Sequence, residues 1–304
     1  MYNTDKTKRK ILLINRKIAK IKKTKNKSVS LVLKRARLMQ GKRLRGLITL
    51  MAAELKLKSA GSTALNAAAA MEILHSATLI HDDIIDNSKT RRGGPALASS
   101  LGYDFSVIAG DYLFSYVTSM VLSEKNWKLM GIFAAAVRDI CEGELEEIYN
   151  RGNYSLSEKQ YFSIINRKTA SLMKASALCG AAAGGITGRN CSLLSAFGQD
   201  FGMAFQIRDD ILDIISTGRV LGKPAGSDIK EGKATLPFIY ALKSAGPREK
   251  QAMVSAFKKG DVKKTIYFIA LLLQTNFQPC LSQKHILSHF FEPYKVLNHS
   301  FYND

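Results

Sequence analysis

Apolar residues in this chain recur at three- and four-residue spacings, and no convincing run of β-branched residues alternates with polar ones. The segments that repeat the helical pattern are 29–39, 44–57, 63–86, 104–123, 127–149, 157–183, 191–216, 235–244, 248–256 and 262–273. The alanine runs Ala67–Ala70 and Ala181–Ala183, with 6 prolines in 304 residues, favour the same state. Breaks fall at Lys58–Ser62, at the glycine-containing stretch 87–95, at Gly184–Gly185, and across 217–233. Ser62 or Thr63 is the expected N-cap of the 63–86 helix. An all-α fold follows. A chain of this length can bury a large core. With no Ser/Pro-rich linker, one main domain is expected.

The formal net charge is +20, which calls for partners carrying negative charge: nucleic acid, anionic lipid or phosphorylated small molecules. Eleven Lys or Arg and no acid lie between Lys6 and Lys27. Within that stretch Ile11, Ile14, Ile18 and Ile21 form one apolar helical stripe. A transit peptide would favour Arg and Ser over Lys. An anionic membrane surface is a second reading. A first helix docking its stripe on the protein body is the preferred one. The four cysteines, Cys141, Cys179, Cys191 and Cys280, form no C-x-x-C pair, which argues against a zinc or redox motif. Free thiols without a signal peptide point to the cytoplasm. No uninterrupted apolar run of about 18 residues predicts a transmembrane helix.

Two segments carry the chemistry. His81-Asp82-Asp83-Ile84-Ile85-Asp86 and Arg208-Asp209-Asp210-Ile211-Leu212-Asp213 share the pattern D-D-x-x-D near the end of an apolar helix. Residues four apart share a helix face, so Asp82 and Asp86 repel, as do Asp209 and Asp213. Something cationic must compensate. Magnesium suits carboxylate oxygens and is normally shared with substrate phosphates. A lone triplet would read as a solvated helix end; two copies in so basic a chain do not.

Cationic segments lie near both triplets. Arg91 and Arg92 follow the first, and Gly41-Lys42-Arg43-Leu44-Arg45-Gly46 opens a helix, where backbone N–H groups favour anions. Lys223 and Lys233 stand on the glycine-rich loop after the second. The arrangement fits two anion sites, one metal-bridged and one held by Lys and Arg alone.

Six segments together resemble the trans-isoprenyl diphosphate synthases, also called polyprenyl synthetases. They are GKRLRG at 41–46, HSATLIHDDIID at 75–86, RRGGPA at 91–96, AGDYLFS at 109–115, KTASL at 168–172, and FQIRDDILD at 205–213 with GKPAGSDIKEGKATLP at 222–237. The resemblance implies an isoprenoid-synthase helical bundle around a deep central cavity. It divides the chain into a basic amphipathic N-terminal helix (1–28), a polyprenyl synthetase domain (29–275) and a divergent C-terminal segment (276–304). It implies magnesium led by Asp82, Asp86 and Asp209, with Asp83, Asp210 and Asp213 supporting. Arg91 would hold the allylic diphosphate, and Lys42, Arg45, His75 and Arg92 the isopentenyl diphosphate. Lys168, Thr169, Gln206, Lys223 and Lys233 would surround the reacting carbons. A homodimer is implied, and nucleic acid is not expected as a partner.

The implied reaction needs no catalytic His, because released pyrophosphate is a sufficient base. His81 is read as structural. Short-chain members place an aromatic residue as a cavity floor one turn before the first triplet. Here Ala77 and Thr78 stand there, so a product longer than geranylgeranyl diphosphate is expected. Tyr112, Phe114 or Phe133 is a candidate deeper floor, although core packing is the simpler reading of each. Gly46 replaces the family's usual proline, which is expected to loosen the helix start. His285 and His289 share a face without a third ligand and are not read as a metal pair. The rivals are a terpene cyclase, disfavoured by the second D-D-x-x-D, a subunit of a heteromeric synthase, disfavoured by the intact aspartates, and a nucleic-acid binder, motivated by charge alone and without a recognised binding motif. A geranylgeranyl diphosphate synthase is the nearest alternative product class.

Overall fold

The computed structural model describes residues 4–277 apart from 23, 37, 39, 58, 60, 92 and 216–225. Helices account for nearly all of it. They are α1 (Thr4–Ile18), followed by a 3₁₀ turn (Ala19–Lys22), α2 (Lys27–Arg35), α3 (Leu44–Glu54), α4 (Ser62–Ile85), α5 (Leu97–Leu101), α6 (Tyr103–Ser123), α7 (Trp127–Tyr149), α8 (Glu158–Ile165), α9 (Ser171–Ala183), α10 (Gly188–Ile215), α11 (Ser227–Lys230), α12 (Leu236–Ser244), α13 (Pro247–Lys258) and α14 (Val262–Phe277). The chain packs as two compact units, Met1–Glu146 with Ser163–Gln206, and Glu147–Phe162 with Ile207–Asp304. The division falls inside α7, α8 and α10.

In the first unit α4 is the central helix. Ala67–Ala70, Met71, Ile73 and Leu74 are buried around its whole circumference, and a helix apolar on all sides must be enclosed. Helices α1, α3, α6 and α9 pack against it. Small residues let them approach. A Cβ on Gly180 of α9 would collide with the Thr49 carbonyl oxygen of α3, and one on Gly110 of α6 would strike the His81 ring. The expectation for α1 holds: Ile14, Ile18 and Ile21 are 0%, 1% and 3% exposed, and the helix is docked. Burying each such side chain contributes roughly 1.5–3 kcal/mol before chain entropy is subtracted.

Local deviations from the sequence reading are informative. The α4 helix begins one residue early, with extended Gly61 as N-cap in place of Ser62 or Thr63 and no side-chain cap. Residues 87–95 hold a two-residue ladder, β1 (Thr90–Arg91) against β2 (Gly94–Pro95), turned over Gly93 at φ +72°. The segment read as one helix over 157–183 is interrupted by a π-helical turn, Asn166–Ala170. The glycine stop after α9 is as expected. Gly185 at φ +66° lets its own N–H reach the Ala182 carbonyl and the Ile186 N–H reach that of Ala181.

In the second unit α14 packs on α11, α12 and α13. The Phe238 and Phe257 rings, 4.4 Å apart, join α12 to α13. Proline opens both helices, and the Glu249 carboxylate accepts the Gly246 N–H at the start of α13.

Among the described residues α6 alone is long and apolar enough to cross a membrane by composition. One of its faces (Ala109, Gly110, Leu113, Val117, Val121) is buried in the core, against α4.

Candidate active site

The first aspartate triplet ends α4, where the helix dipole disfavours anions. Its members have different surroundings. Asp83 is buried and receives Arg91 Nε at 2.7 Å and Arg91 Nη2 on the same oxygen. Arg91 is thereby folded from the hairpin back onto α4. Asp82 sits part-buried. Burial pushes its carboxyl up to about 7; Lys168 opposes the shift, Glu144 and Asp86 add to it, and Arg91 opposes it. A carboxyl so placed takes up a proton near neutrality unless a cation holds it ionised.

Lys168 and Thr169 lie on the π-helical turn. Such turns carry one extra residue and alter the direction of side chains at functional sites. Gly143 of α7 makes room for it, since a Cβ there would run into the Lys168 backbone nitrogen; Gly202 of α10 does the same against Ala170. Lys168 Nζ is 2.6 Å from Glu144 of α7. Arg167 pairs with Glu142 at 2.7 Å and Glu146 at 3.5 Å. Thr169 donates its hydroxyl proton to Gln206 Oε1 at 2.8 Å. The structure thus joins three stretches far apart in sequence, at Asp82, at the adjacent Lys168 and Thr169, and at Gln206.

The cationic turn precedes α3. Lys42 is exposed, while Arg45 and, on α4, His75 are half-buried. The Gly46 N–H donates to Glu72 Oε1 at 2.9 Å, one helical turn before His75. Gly46 therefore does not loosen the helix start, as proline's absence was expected to do. It supplies a donor that proline lacks. It also leaves space for Ile14, whose Cδ1 would be 2.8 Å from an added Cβ.

The second triplet belongs to the second unit. Asp210 is buried and accepts the Tyr161 hydroxyl at 2.6 Å; burial first, and then the Asp210 charge and this bond, raise the tyrosine's pKa. Asp213 is buried and accepts from Ser227 Oγ at 2.8 Å, Ser227 N at 3.2 Å and Asp228 N at 3.1 Å. Those bonds anchor the turn at Gly226, whose φ is +74°. Asp209 is part-buried. Lys233 lies 2.7 Å from Glu231 and 3.1 Å from Glu147. Asp228 was missed by the sequence reading. It is a carboxyl pushed well above its usual range by burial and then by Asp213 and Asp210, while Lys233 pulls it down. Glu144, Glu147 and Tyr161 were missed too; acids spaced along α7 opposite the lysine motifs were the available signal. Arg92, Lys223, His285 and His289 lie outside the described residues.

Among the described residues no three His, Cys, Asp or Glu side chains converge as a ready metal cage. The carboxylate oxygens of Asp82 and Asp86 are donors of the kind a hard divalent cation takes, with water and substrate phosphate completing its shell.

The family model of the polyprenyl synthetases matches residues 26–270. The chain belongs to that family. It is a prenyltransferase. It is 37% identical over 227 residues to a short chain isoprenyl diphosphate synthase of Methanothermobacter thermautotrophicus, covering 73% of this chain and 70% of the relative. It is 35% identical over 221 residues to the octaprenyl diphosphate synthase of Escherichia coli, covering 73% of this chain and 68% of that one. A crystal structure of a polyprenyl synthase from Caulobacter crescentus, complexed with calcium and isoprenyl diphosphate, matches with a TM-score of 0.80 and 34% identity, over 85% of this chain and 80% of that one.

Proposed function

We propose that this chain is an all-trans polyprenyl diphosphate synthase. It joins isopentenyl diphosphate to an allylic diphosphate by magnesium-dependent ionisation, condensation and elimination. The observation that carries the reading is the cluster of Asp82, Lys168, Thr169 and Gln206 around the π-helical turn. A calcium-bound polyprenyl synthase among the matched structures supports a divalent cation.

Asp82 and Asp86 would hold magnesium on the first motif and Asp209 on the second. Asp83 supports the first motif through Arg91, and Asp210 and Asp213 support the second through Tyr161 and the Gly226 turn. Bound magnesium supplies the positive charge that makes pyrophosphate a good leaving group. Arg91 and Lys168 add charge-assisted donors to the allylic diphosphate, Lys168 exchanging Glu144 for the incoming phosphate. Lys233 serves the same charge in the second unit. Lys42, Arg45 and His75 hold the diphosphate of the isopentenyl substrate. The Thr169 hydroxyl and the Gln206 amide oxygen turn negative dipole ends toward the allylic cation. The departing pyrophosphate takes the proton released after carbon–carbon bond formation.

Product length follows from the wall of α4. Ala77 is buried, and the Thr78 hydroxyl is tied to the His75 carbonyl at 2.9 Å, so neither supplies an aromatic floor. The product is therefore longer than geranylgeranyl diphosphate. Of the three aromatic floor candidates, Phe133 is buried and stacks on the more exposed Phe114 at 5.9 Å, and Tyr112 tilts against Tyr116.

Two further contacts belong to the reading. Phe105, Ile108, Phe114 and Leu122 of α6 and Leu145 of α7 are exposed, with Trp127 82% exposed, an apolar surface suited to a second copy of the chain. Light scattering should return twice the mass of one chain, and Ile108→Glu should halve it. Leu12 and Leu13 of α1 are exposed beside Arg9 and Arg16 of the same helix and Lys20 of the following 3₁₀ turn, which supports peripheral contact with anionic lipid.

The test of the reaction is pyrophosphate release from protein stripped of metal. Release should require magnesium, an allylic diphosphate and isopentenyl diphosphate together. Release from the allylic substrate alone would indicate a cyclase or hydrolase, and none under any condition would remove the catalytic assignment.

A further inference from the structure

We infer that Asn15 with the buried Arg43 and Glu72 forms a relay through which α1 positions the cationic turn for isopentenyl diphosphate. The inference rests on the assignment of Lys42 and Arg45 to that substrate. Arg43 lies between them in sequence, yet it is turned the other way. It is 2% exposed, and no guanidinium so enclosed can meet a substrate itself.

Its bonds run inward. Arg43 Nε donates to Asn15 Oδ1 of α1 at 2.7 Å, Nη2 to the Leu38 carbonyl at 2.7 Å, and Nη1 to that of Gln40 at 3.4 Å. Nη1 also stands 3.5 Å from Glu72 Oε2 of α4. The other oxygen of the same carboxylate accepts the Gly46 N–H at 2.9 Å. One buried carboxylate therefore holds both ends of the segment 43–46, and Asn15 braces it from the N-terminal helix.

The backbone needs that bracing. Arg43 has φ +57°, a left-handed conformation that a residue with a Cβ adopts only when its surroundings impose it. The dihedrals of Arg43 set where its neighbours Lys42 and Arg45 stand. If the relay is cut, this turn can relax toward an ordinary conformation and carry both cations away from the phosphate. The contacts of Asn15 and Ile14 make α1 part of this scaffold as well as of the core. Arg43 and Glu72 are thus positioning residues; they touch no reacting atom.

The test is steady-state kinetics of the full-length enzyme with magnesium and a saturating allylic diphosphate. Asn15→Leu removes the acceptor, and Asn15→Asp keeps it. Asn15→Leu is expected to raise KM for isopentenyl diphosphate by about 10- to 100-fold, the scale of a ligand group misplaced by an ångström. The allylic KM should stay unchanged, and Asn15→Asp should restore the wild-type value. Arg43→Lys, which keeps the charge but loses the planar fork, should behave like Asn15→Leu. Thermal melting of each variant accompanies the kinetics.

Lys42→Ala separates the two layers of the argument. If it raises the isopentenyl KM and Asn15→Leu does not, the relay is overturned and the substrate assignment stands. If Lys42→Ala leaves that KM unchanged, the assignment falls, and the relay with it. A uniform loss across both substrates and kcat, with a lowered melting temperature, would make Asn15 a stability residue and overturn the positioning role.

Discussion

Asp82 is a carboxyl whose pKa in the folded, metal-free protein is raised from 3.8 to about 7, chiefly by burial. The folded state then binds more protons than the unfolded one between those values. Its contribution to stability falls as pH rises from about 4 to about 7 and is level above. The cost at the top of that window is on the order of 3–4 kcal/mol. Asp82→Asn should therefore melt higher than the wild type at pH 8 in the presence of a chelator and nearly alike at pH 4. It should also lose turnover. Calorimetry across that range checks the sign. Equal melting at pH 8 would mean the carboxyl is not held at a cost. Asp82 was legible in the sequence because its spacing to Asp86 is visible there. Asp228 was not, because an acid in a Lys-rich loop looks solvated until the Asp213 bonds that bury it are seen. Arg43 escaped for the same reason: nothing in a basic turn says which cation faces inward.

Helix extents were the easiest elements to read, since three- and four-residue spacing is what an enclosed helix imposes on a sequence. The α7 bounds agree with the reading to the residue. The π-helical turn was hidden, because one slipped backbone hydrogen bond leaves the apolar pattern almost intact. Its imprint is in the glycines of other helices, Gly143 and Gly202, whose Cβ atoms would collide with it. Gly143→Ala should displace Lys168 and Thr169, lowering kcat by about 10-fold or more with a smaller effect on melting, since a small misplacement of catalytic groups costs rate first. A wild-type kcat would show that the close approach is packing alone. The α4 wall makes a second prediction. Thr78→Phe should shorten the product toward farnesyl or geranylgeranyl diphosphate without stopping elongation, as chromatography of the chains will show. Unchanged length would move the floor to another helix.

At the scale of the molecule, the chain sets paired acids within a strongly basic background. With a net charge of +20, Asp83 of the first triplet and Glu142, Glu144, Glu146 and Glu147 of α7 each pair with lysine or arginine within their own unit. Such a protein attracts diphosphates at long range, and association should slow as salt rises. The sequence was sufficient for the fold class and for the family, because both rest on periodicity and motif order. The family resemblance already set Asp82 and Asp86 ahead of Asp83, but the physical reason, the burial of Asp83 and the hairpin that turns Arg91 onto it, was not readable in the sequence. The most direct measurement is chromatography of the products formed from labelled isopentenyl diphosphate and farnesyl diphosphate with magnesium, with Asp82→Ala beside the wild type. The wild type should make chains longer than geranylgeranyl, and the variant none. Chains stopping at geranylgeranyl would contradict the chain-length assignment, and equal products from both proteins would contradict the metal site on which the mechanism stands.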